Sequence, residues 1–378
     1  MRILYFSSDN NSGSGAFRVL VRSVTELQEQ GHDVLVILPY AGSGTKMLKD
    51  NNIKYKHIFT FSWIKHLKFN PWDYISHYLF KPVNYVTYHR ELKLIDKYKP
   101  DICVINTCFT YVGALASIKK NIPFVWHIRE LLEGQMGKTY YNEKYAMSLM
   151  NKANKVICVS KGVYDTYKGK IDDKRLTYIY EGLEISHYLD EDKEIFNDNK
   201  IHFVCAGRIK KQKGQYLIIE ALNQIKDLDF DVVLVGDVRK HYKNKLIKMC
   251  EFKDRLTFTG QVKDVRPYYK KADLFLMPSF FEAFGLVTVE AILSGLFVIG
   301  SNMLGTKEIL TSLDSNYQYL FTPGDSNSLK DRILLAVNNK EEIKKQAKVF
   351  QKNIQDLYSS KLNTEKIFKA YDKARKCD

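Results

Sequence analysis

Short apolar runs of β character alternate with helix-like segments along this chain, and the alternation happens twice. In the first half, residues 2–6, 33–38, 101–106, 124–128, 156–160 and 177–180 read as strands, with helical patterns over 15–30 and 46–51. A polar, acidic stretch follows at 186–200 (SHYLDEDKEIFNDNK). The pattern then restarts with strands at 201–206, 231–235, 256–259, 274–277 and 297–300 and helices at 216–225 and 287–294. Strands separated by helices predict parallel sheets covered on both faces. The expected fold is therefore α/β, with two doubly wound, Rossmann-like domains. Their expected bounds are 1–185 and 201–355, with 186–200 as the linker. A terminal helix over 356–378 is expected to pack back toward the first domain, and 328–376 carries apolar residues at helical spacing. Ligands of such sheets bind beyond the carboxyl ends of the strands. Two facing sheets would place both sets of ends on one interdomain cleft.

The chain is basic, with a formal net charge of +15 over 378 residues. That balance favours anionic partners: nucleotides, nucleic acid or a membrane surface. No low-complexity tract argues for disorder. None of the six cysteines forms a CxxC pair, and Cys103, Cys158 and Cys205 sit inside β-like runs, as buried small residues in a reducing compartment would. The N-terminus enters a strand without a signal-peptide pattern, and no apolar run is long enough to span a bilayer. The expected location is the cytoplasm.

Three constellations fall at expected strand ends. Gly13-Ser14-Gly15 stands between the first strand and the first helix, where glycines let backbone approach a phosphate or sugar. A dinucleotide fingerprint would need a third glycine at the place of Arg18 and an acid at the end of the second strand, which ends Ile37-Leu38-Pro39. A tight turn without ligand is the alternative. Gly207-Arg208 and Lys213-Gly214 supply two cations after a strand, suited to a diphosphate, against the alternative of a solvated basic loop. The run 280–295, FFEAFGLVTVEAILSG, carries two glutamates, Glu282 and Glu290, among apolar residues. Gly285 marks a loop turning into a helix, so the amides of Phe284, Gly285 and Leu286 become helix-start donors for an anion.

These motifs together resemble glycosyltransferase family 4, retaining enzymes of the GT-B fold. Glu282-x7-Glu290 with Phe284-Gly285, Gly207-Arg208 with Lys213-Gly214, Val235-Gly236-Asp237, Pro278-Ser279, Gly305-Thr306-Lys307-Glu308 and Pro323-Gly324-Asp325 carry the resemblance. Gly13, Gly15, His127 and Ser160 fit it in the first half. The resemblance implies that Arg208 and Lys213 hold the donor diphosphate, that Glu290 binds the nucleotide ribose, and that Glu282 sits by the donor sugar. It implies that His127, in Trp126-His127-Ile128-Arg129-Glu130, approaches that sugar from the other domain. It also implies a hexosyltransferase that needs no metal or other cofactor. Two departures stand out: the turn after Gly236 reads Asp237-Val238, where a second glycine is common, and Glu181-Gly182 stands where Asn-Gly is usual.

The implied function is transfer of a sugar from a nucleotide-diphosphate sugar to a glycan or lipid-linked glycan in cell-surface polysaccharide assembly. UDP is the expected nucleotide because it is common among such enzymes, not because a residue selects it. Residues 61–99 are dense in aromatic and basic side chains, which suit an anionic membrane surface and a peripheral seat on its inner face. A helical excursion with core aromatics is the alternative. Asp229-Phe230-Asp231 is formally a metal motif but opens a strand away from the expected cleft. Competing functions are a nucleotide-sugar epimerase on the same plan and a nucleic-acid-binding protein; no nucleic-acid motif supports the latter.

Overall fold

The computed structural model describes residues 1–376. The chain divides into two compact units: Met1–Gly182 together with the segment from Ser360 onward, and Leu183–Ser359. The first unit holds β1 (Arg2–Ser7), β2 (Asp33–Leu38), β3 (Lys54–His57), β4 (Ile64–His66), β5 (Ile102–Asn106), β6 (Phe124–Ile128), β7 (Lys138–Tyr140), β8 (Lys155–Cys158) and β9 (Leu176–Tyr178). Seven of these form a parallel sheet in the order β3-β2-β1-β5-β6-β8-β9, and β4 pairs antiparallel with β7. Strands β5 and β6 are buried along their whole length, which their unbroken runs ICVIN and FVWHI require of a sheet covered on both faces. The helix Gly15–Glu29 buries Phe17, Leu20, Val21, Val24 and Leu27 at three- and four-residue spacing. The C-terminal helix Ser360–Lys376 enters the same core through Ile367, Tyr371 and Ala374.

The second unit holds β10 (Ile201–Ala206), β11 (Phe230–Val235), β12 (Leu256–Gly260), β13 (Leu274–Met277), β14 (Phe297–Ser301) and β15 (Leu320–Phe321). All pair in parallel, in the order β12-β11-β10-β13-β14-β15. The strand order reverses between β10 and β13 here, and between β1 and β5 in the first unit. A crevice opens beyond the carboxyl ends at such a point.

The structure differs from the sequence reading in a few places. The stretch 186–200 is packed on the second unit: Tyr188, Ile195 and Phe196 are buried, and the Phe196 amide donates to Asp273 Oδ1 at 2.6 Å. Buried apolar residues and hydrogen bonds such as Lys193 Nζ to the Lys270 carbonyl at 2.8 Å hold this acidic run down together. The helical tail is three helices, Ser326–Asn338, Lys340–Leu357 and Ser360–Lys376. Strand β3 escaped notice because KYKH is a polar edge strand with no alternation to read. Cys103, Cys108, Cys158, Cys205 and Cys250 are buried free thiols, and Cys377 lies outside the described residues. Among the described residues no helix is long and apolar enough to cross a membrane.

A long helix, Pro71–Tyr98, starts with Asn70 accepting from the Trp72 amide and Pro71 in its first turn. It buries Asn84, Thr87, Glu91, Leu94 and Ile95. Glu91 Oε2 is buried with no hydrogen-bond partner, and burial pushes this carboxyl well above its ordinary pKa. The fold therefore favours the neutral acid. With a raised native pKa, the site supports folding fully below the ordinary value of 4.5 and loses that support as pH climbs toward the native value. Glu91→Gln, uncharged at every pH, should melt above the wild type at pH ~8 and lose that margin near pH ~4.5, as read by thermal melts followed by circular dichroism.

Candidate functional site

In the second unit the loops after β10 and β13 flank the reversal of strand order and, with the helix Leu286–Leu293, carry most of the site residues that the sequence singles out. Lys213 closes a short turn, Lys211–Lys213, after β10, and Glu282 lies in the loop after β13. The two meet: Lys213 Nζ stands 2.5 Å from Glu282 Oε2. Arg208 reaches Asp237 Oδ2 at 3.6 Å in a largely exposed pair, leaving its planar fork open to solvent. Lys210 joins these cations, and its pKa is lowered, first by burial and then by the charges of Lys213 and Arg208. Three crowded cations beside two carboxylates, Glu282 and the exposed Asp237, leave a surplus of positive charge that favours an anion. Lys210 was missed in the sequence, where it is one of several lysines in RIKKQKG; only its half-buried position distinguishes it.

The loops are locked by close backbone approach. Gly214 has φ +72°, and a Cβ there would stand 2.1 Å from the Pro278 carbonyl oxygen. The Phe280 amide donates to the Gln212 carbonyl at 3.3 Å, and the Gly305 amide to the Glu282 carbonyl at 3.1 Å. Gly285, with φ +106°, caps the helix Leu286–Leu293. The Leu286 amide opens that helix and has no acceptor within it. Phe284 is buried against the Tyr358 ring, 5.4 Å between centroids, and so fixes the approach to the helix rather than offering its side chain to a ligand. Glu290 lies one turn further on, buried, with the Tyr269 hydroxyl donating to Oε2 at 3.5 Å. Arg208, Lys213, Glu282, the helix start and Glu290 thus all belong to the second unit, with Lys213 and Glu282 in direct contact.

In the first unit, Gly13 and Gly15 are exposed beyond the carboxyl end of β1, with the Gly13 amide donating to Asn11 Oδ1 at 2.9 Å and Gly15 opening the helix Gly15–Glu29. His127 is part of β6 and is buried. Its Nε2 pairs with the Tyr371 hydroxyl at 2.7 Å, and that hydroxyl pairs with Tyr5 at 3.0 Å. Burial first, and then the Arg129 charge, hold the imidazole well below its ordinary pKa, so it is neutral. Arg129 does not pair with the Glu130 carboxylate. Its guanidinium binds Glu181 and donates from Nε to Asn106 Oδ1 at 2.8 Å. The glutamate at the departure Glu181-Gly182 is therefore the counter-charge of a buried arginine. Glu130 Oε2 accepts from the Cys108 amide and thiol and from the Arg129 amide, each at 3.3 Å, and burial raises its pKa to about 7. Asp231, of the formal metal motif, is taken up by His202 at 3.0 Å and Lys200 at 3.4 Å.

Two family models match the chain and between them take in both halves. The model for Glycosyltransferase Family 4 covers residues 13–187, and that for Glycosyl transferases group 1 covers 189–356. Each half of the chain thus matches a glycosyltransferase model. An uncharacterised glycosyltransferase of Methanocaldococcus jannaschii is 30% identical over 240 residues, 61% of this chain and 63% of that protein. An O-antigen biosynthesis glycosyltransferase of Escherichia coli is 25% identical over 226 residues, 58% of this chain and 61% of that protein. The chain thus spans less than two thirds of the length of either relative. An Anabaena protein solved in complex with UDP and glucose superposes with a TM-score of 0.78 at 21% identity, over 98% of this chain and 99% of that one. That likeness shows the GT-B fold.

The close approach at Gly214 yields a test of the site's architecture. Gly214→Ala must move either the β10 loop or the Pro278 backbone and also strains a positive φ. It should cost roughly 2 kcal/mol or more in urea unfolding.

Proposed function

We propose that this chain is a retaining, metal-independent hexosyltransferase that moves a sugar from a nucleotide-diphosphate sugar to a glycan or lipid-linked glycan in cell-surface polysaccharide assembly. The observation that carries this reading is the meeting of Lys213 with Glu282 beside Arg208 and a helix start, at the reversal of strand order in the second unit. The O-antigen relative supports the polysaccharide setting. The Anabaena protein's complex with UDP and glucose supports UDP as the nucleotide.

On this reading Arg208, Lys213 and the amides at Phe284–Leu286 receive the diphosphate. Charge grows on that group as the bond to the sugar breaks, so these donors act most strongly in the transition state. Glu290 takes the ribose hydroxyls, one helical turn from the phosphates. Glu282 holds the Lys213 ammonium in the free protein and lies beside the donor sugar when donor is bound. His127, a neutral imidazole fixed by Tyr371, is the proposed sugar contact from the first unit, and Gly13 and Gly15 the proposed close backbone approach. The acceptor hydroxyl attacks from the face that the diphosphate leaves, which retains configuration without a covalent nucleophile. The proposed location is the cytoplasm, on the inner face of the membrane, reached through residues 61–99.

UDP or GDP should raise the melting temperature of the wild type and leave Arg208→Ala unmoved. Glu282→Ala should keep a nucleotide-dependent shift and lose about 100-fold in donor turnover, read as nucleotide release. Unchanged turnover in Glu282→Ala would remove that residue from the mechanism. Stabilisation by nucleic acid alone would overturn the transferase reading.

A further inference from the structure

The helix Pro71–Tyr98 runs for 28 residues, about 42 Å, and the residues it buries fall on one side of its second half. Asn84, Thr87, Glu91, Leu94 and Ile95 form a stripe against the core of the first unit. At about 100° per residue, Trp72, Ile75, Tyr78, Leu79, Tyr85 and Val86 fall on the opposite side, within an arc of roughly 140°. They are bare: Trp72 is 69% exposed, Tyr78 71% and Leu79 65%. Phe69, in the preceding loop, is 79% exposed and extends the patch. A monomer rarely leaves so many neighbouring aromatic and aliphatic side chains in water.

The same outward side changes character along its length. Beyond Val86 it carries exposed Arg90, Lys93 and Lys97. The acid among them, Asp96, is already engaged by Lys120 at 2.6 Å. Apolar rings followed by unpaired cations on one helical face match a boundary between acyl chains and anionic headgroups. Pairing of this face with a second copy would bring like charges together on a chain of net charge +15. The helix is not apolar enough to cross a bilayer.

We propose that the outward face of Pro71–Tyr98, with Phe69, docks in the plane of an anionic lipid bilayer. Trp72, Ile75, Tyr78, Leu79 and Val86 enter the interface, and Arg90, Lys93 and Lys97 lie on headgroup phosphates. The inference rests on the peripheral placement proposed above. It narrows the contact from residues 61–99 to one helical face and excludes the docked stripe, which belongs to the protein core. Interfacial seating would present the first unit to a lipid-linked acceptor.

The test uses the full chain and vesicles of equal parts phosphatidylglycerol and phosphatidylcholine, with pure phosphatidylcholine as control. Trp63 and Trp126 are buried, so a blue shift of tryptophan emission on binding reports Trp72. The wild type should pellet with the anionic vesicles at low salt and shift its emission. A Phe69→Ser, Trp72→Ser, Leu79→Ser variant should bind about tenfold more weakly or worse, with its melting temperature and nucleotide response intact. An Arg90→Gln, Lys93→Gln, Lys97→Gln variant should lose the preference for anionic vesicles. No pelleting of the wild type, or undiminished pelleting of the serine variant, overturns the proposal. Self-association in vesicle-free sedimentation velocity that the serine variant abolishes assigns the face to a second copy and also overturns it. The nucleotide melting shift is read separately, so failure of the transferase reading and failure of the membrane reading are told apart.

Discussion

Crossovers between parallel strands force every carboxyl end of a sheet to one edge, and the candidate site depends on that constraint. In the second unit the strand order reverses between β10 and β13. The chain therefore leaves these neighbouring strands in opposite directions, and a gap remains between their loops. Arg208, Lys210 and Lys213 come from one side of the gap and Glu282 from the other. Burial first, and then the charges of Lys213 and Arg208, lower the pKa of Lys210, and Glu282 and the exposed Asp237 relieve only part of that crowding. A diphosphate would supply the missing negative charge. The backbone contact of Gly214 with Pro278 holds the two loops close enough for the arrangement to persist in the free protein.

The first unit solves a different problem, that of keeping polar groups inside a sheet covered on both faces. His127 is satisfied by Tyr371, which lies 244 residues away and arrives on the C-terminal helix. Arg129 is satisfied by Glu181 and Asn106. Removing one partner from such a pair would leave an uncompensated buried group, which costs far more than the pair contributes. The arginine and the glutamate at the unusual Glu181-Gly182 thus explain each other.

Much of the fold was legible because the central parallel strands are short, largely apolar runs between helices, and β1, β5, β6, β10, β13 and β14 all have that form. The polar edge strand β3, the antiparallel pair β4 and β7 and the two-residue β15 have no such signal. The candidate site residues of the second unit stood out for a related reason: Arg208 with Lys213, and Glu282 with Glu290, are close in sequence, and glycine marks the turns that present them. Lys210 was not, because a lysine among lysines gains meaning only from burial. The aromatic and basic bias of 61–99 was visible, but which residues of it face inward was not.

By itself the sequence determined two doubly wound units, the position of their strand-end loops and the charged residues gathered there, since all three follow from local periodicity and from glycines and charges at strand ends. Only the tertiary structure decided that Lys213 meets Glu282, that Tyr371 holds His127, that Glu181 answers Arg129, and that one side of Pro71–Tyr98 is core while the other stays bare. Each of those is a contact or its absence between elements distant in the chain. Hydrophobic pattern sets which face of an element is buried, but which side chain is waiting there is settled only when the elements pack.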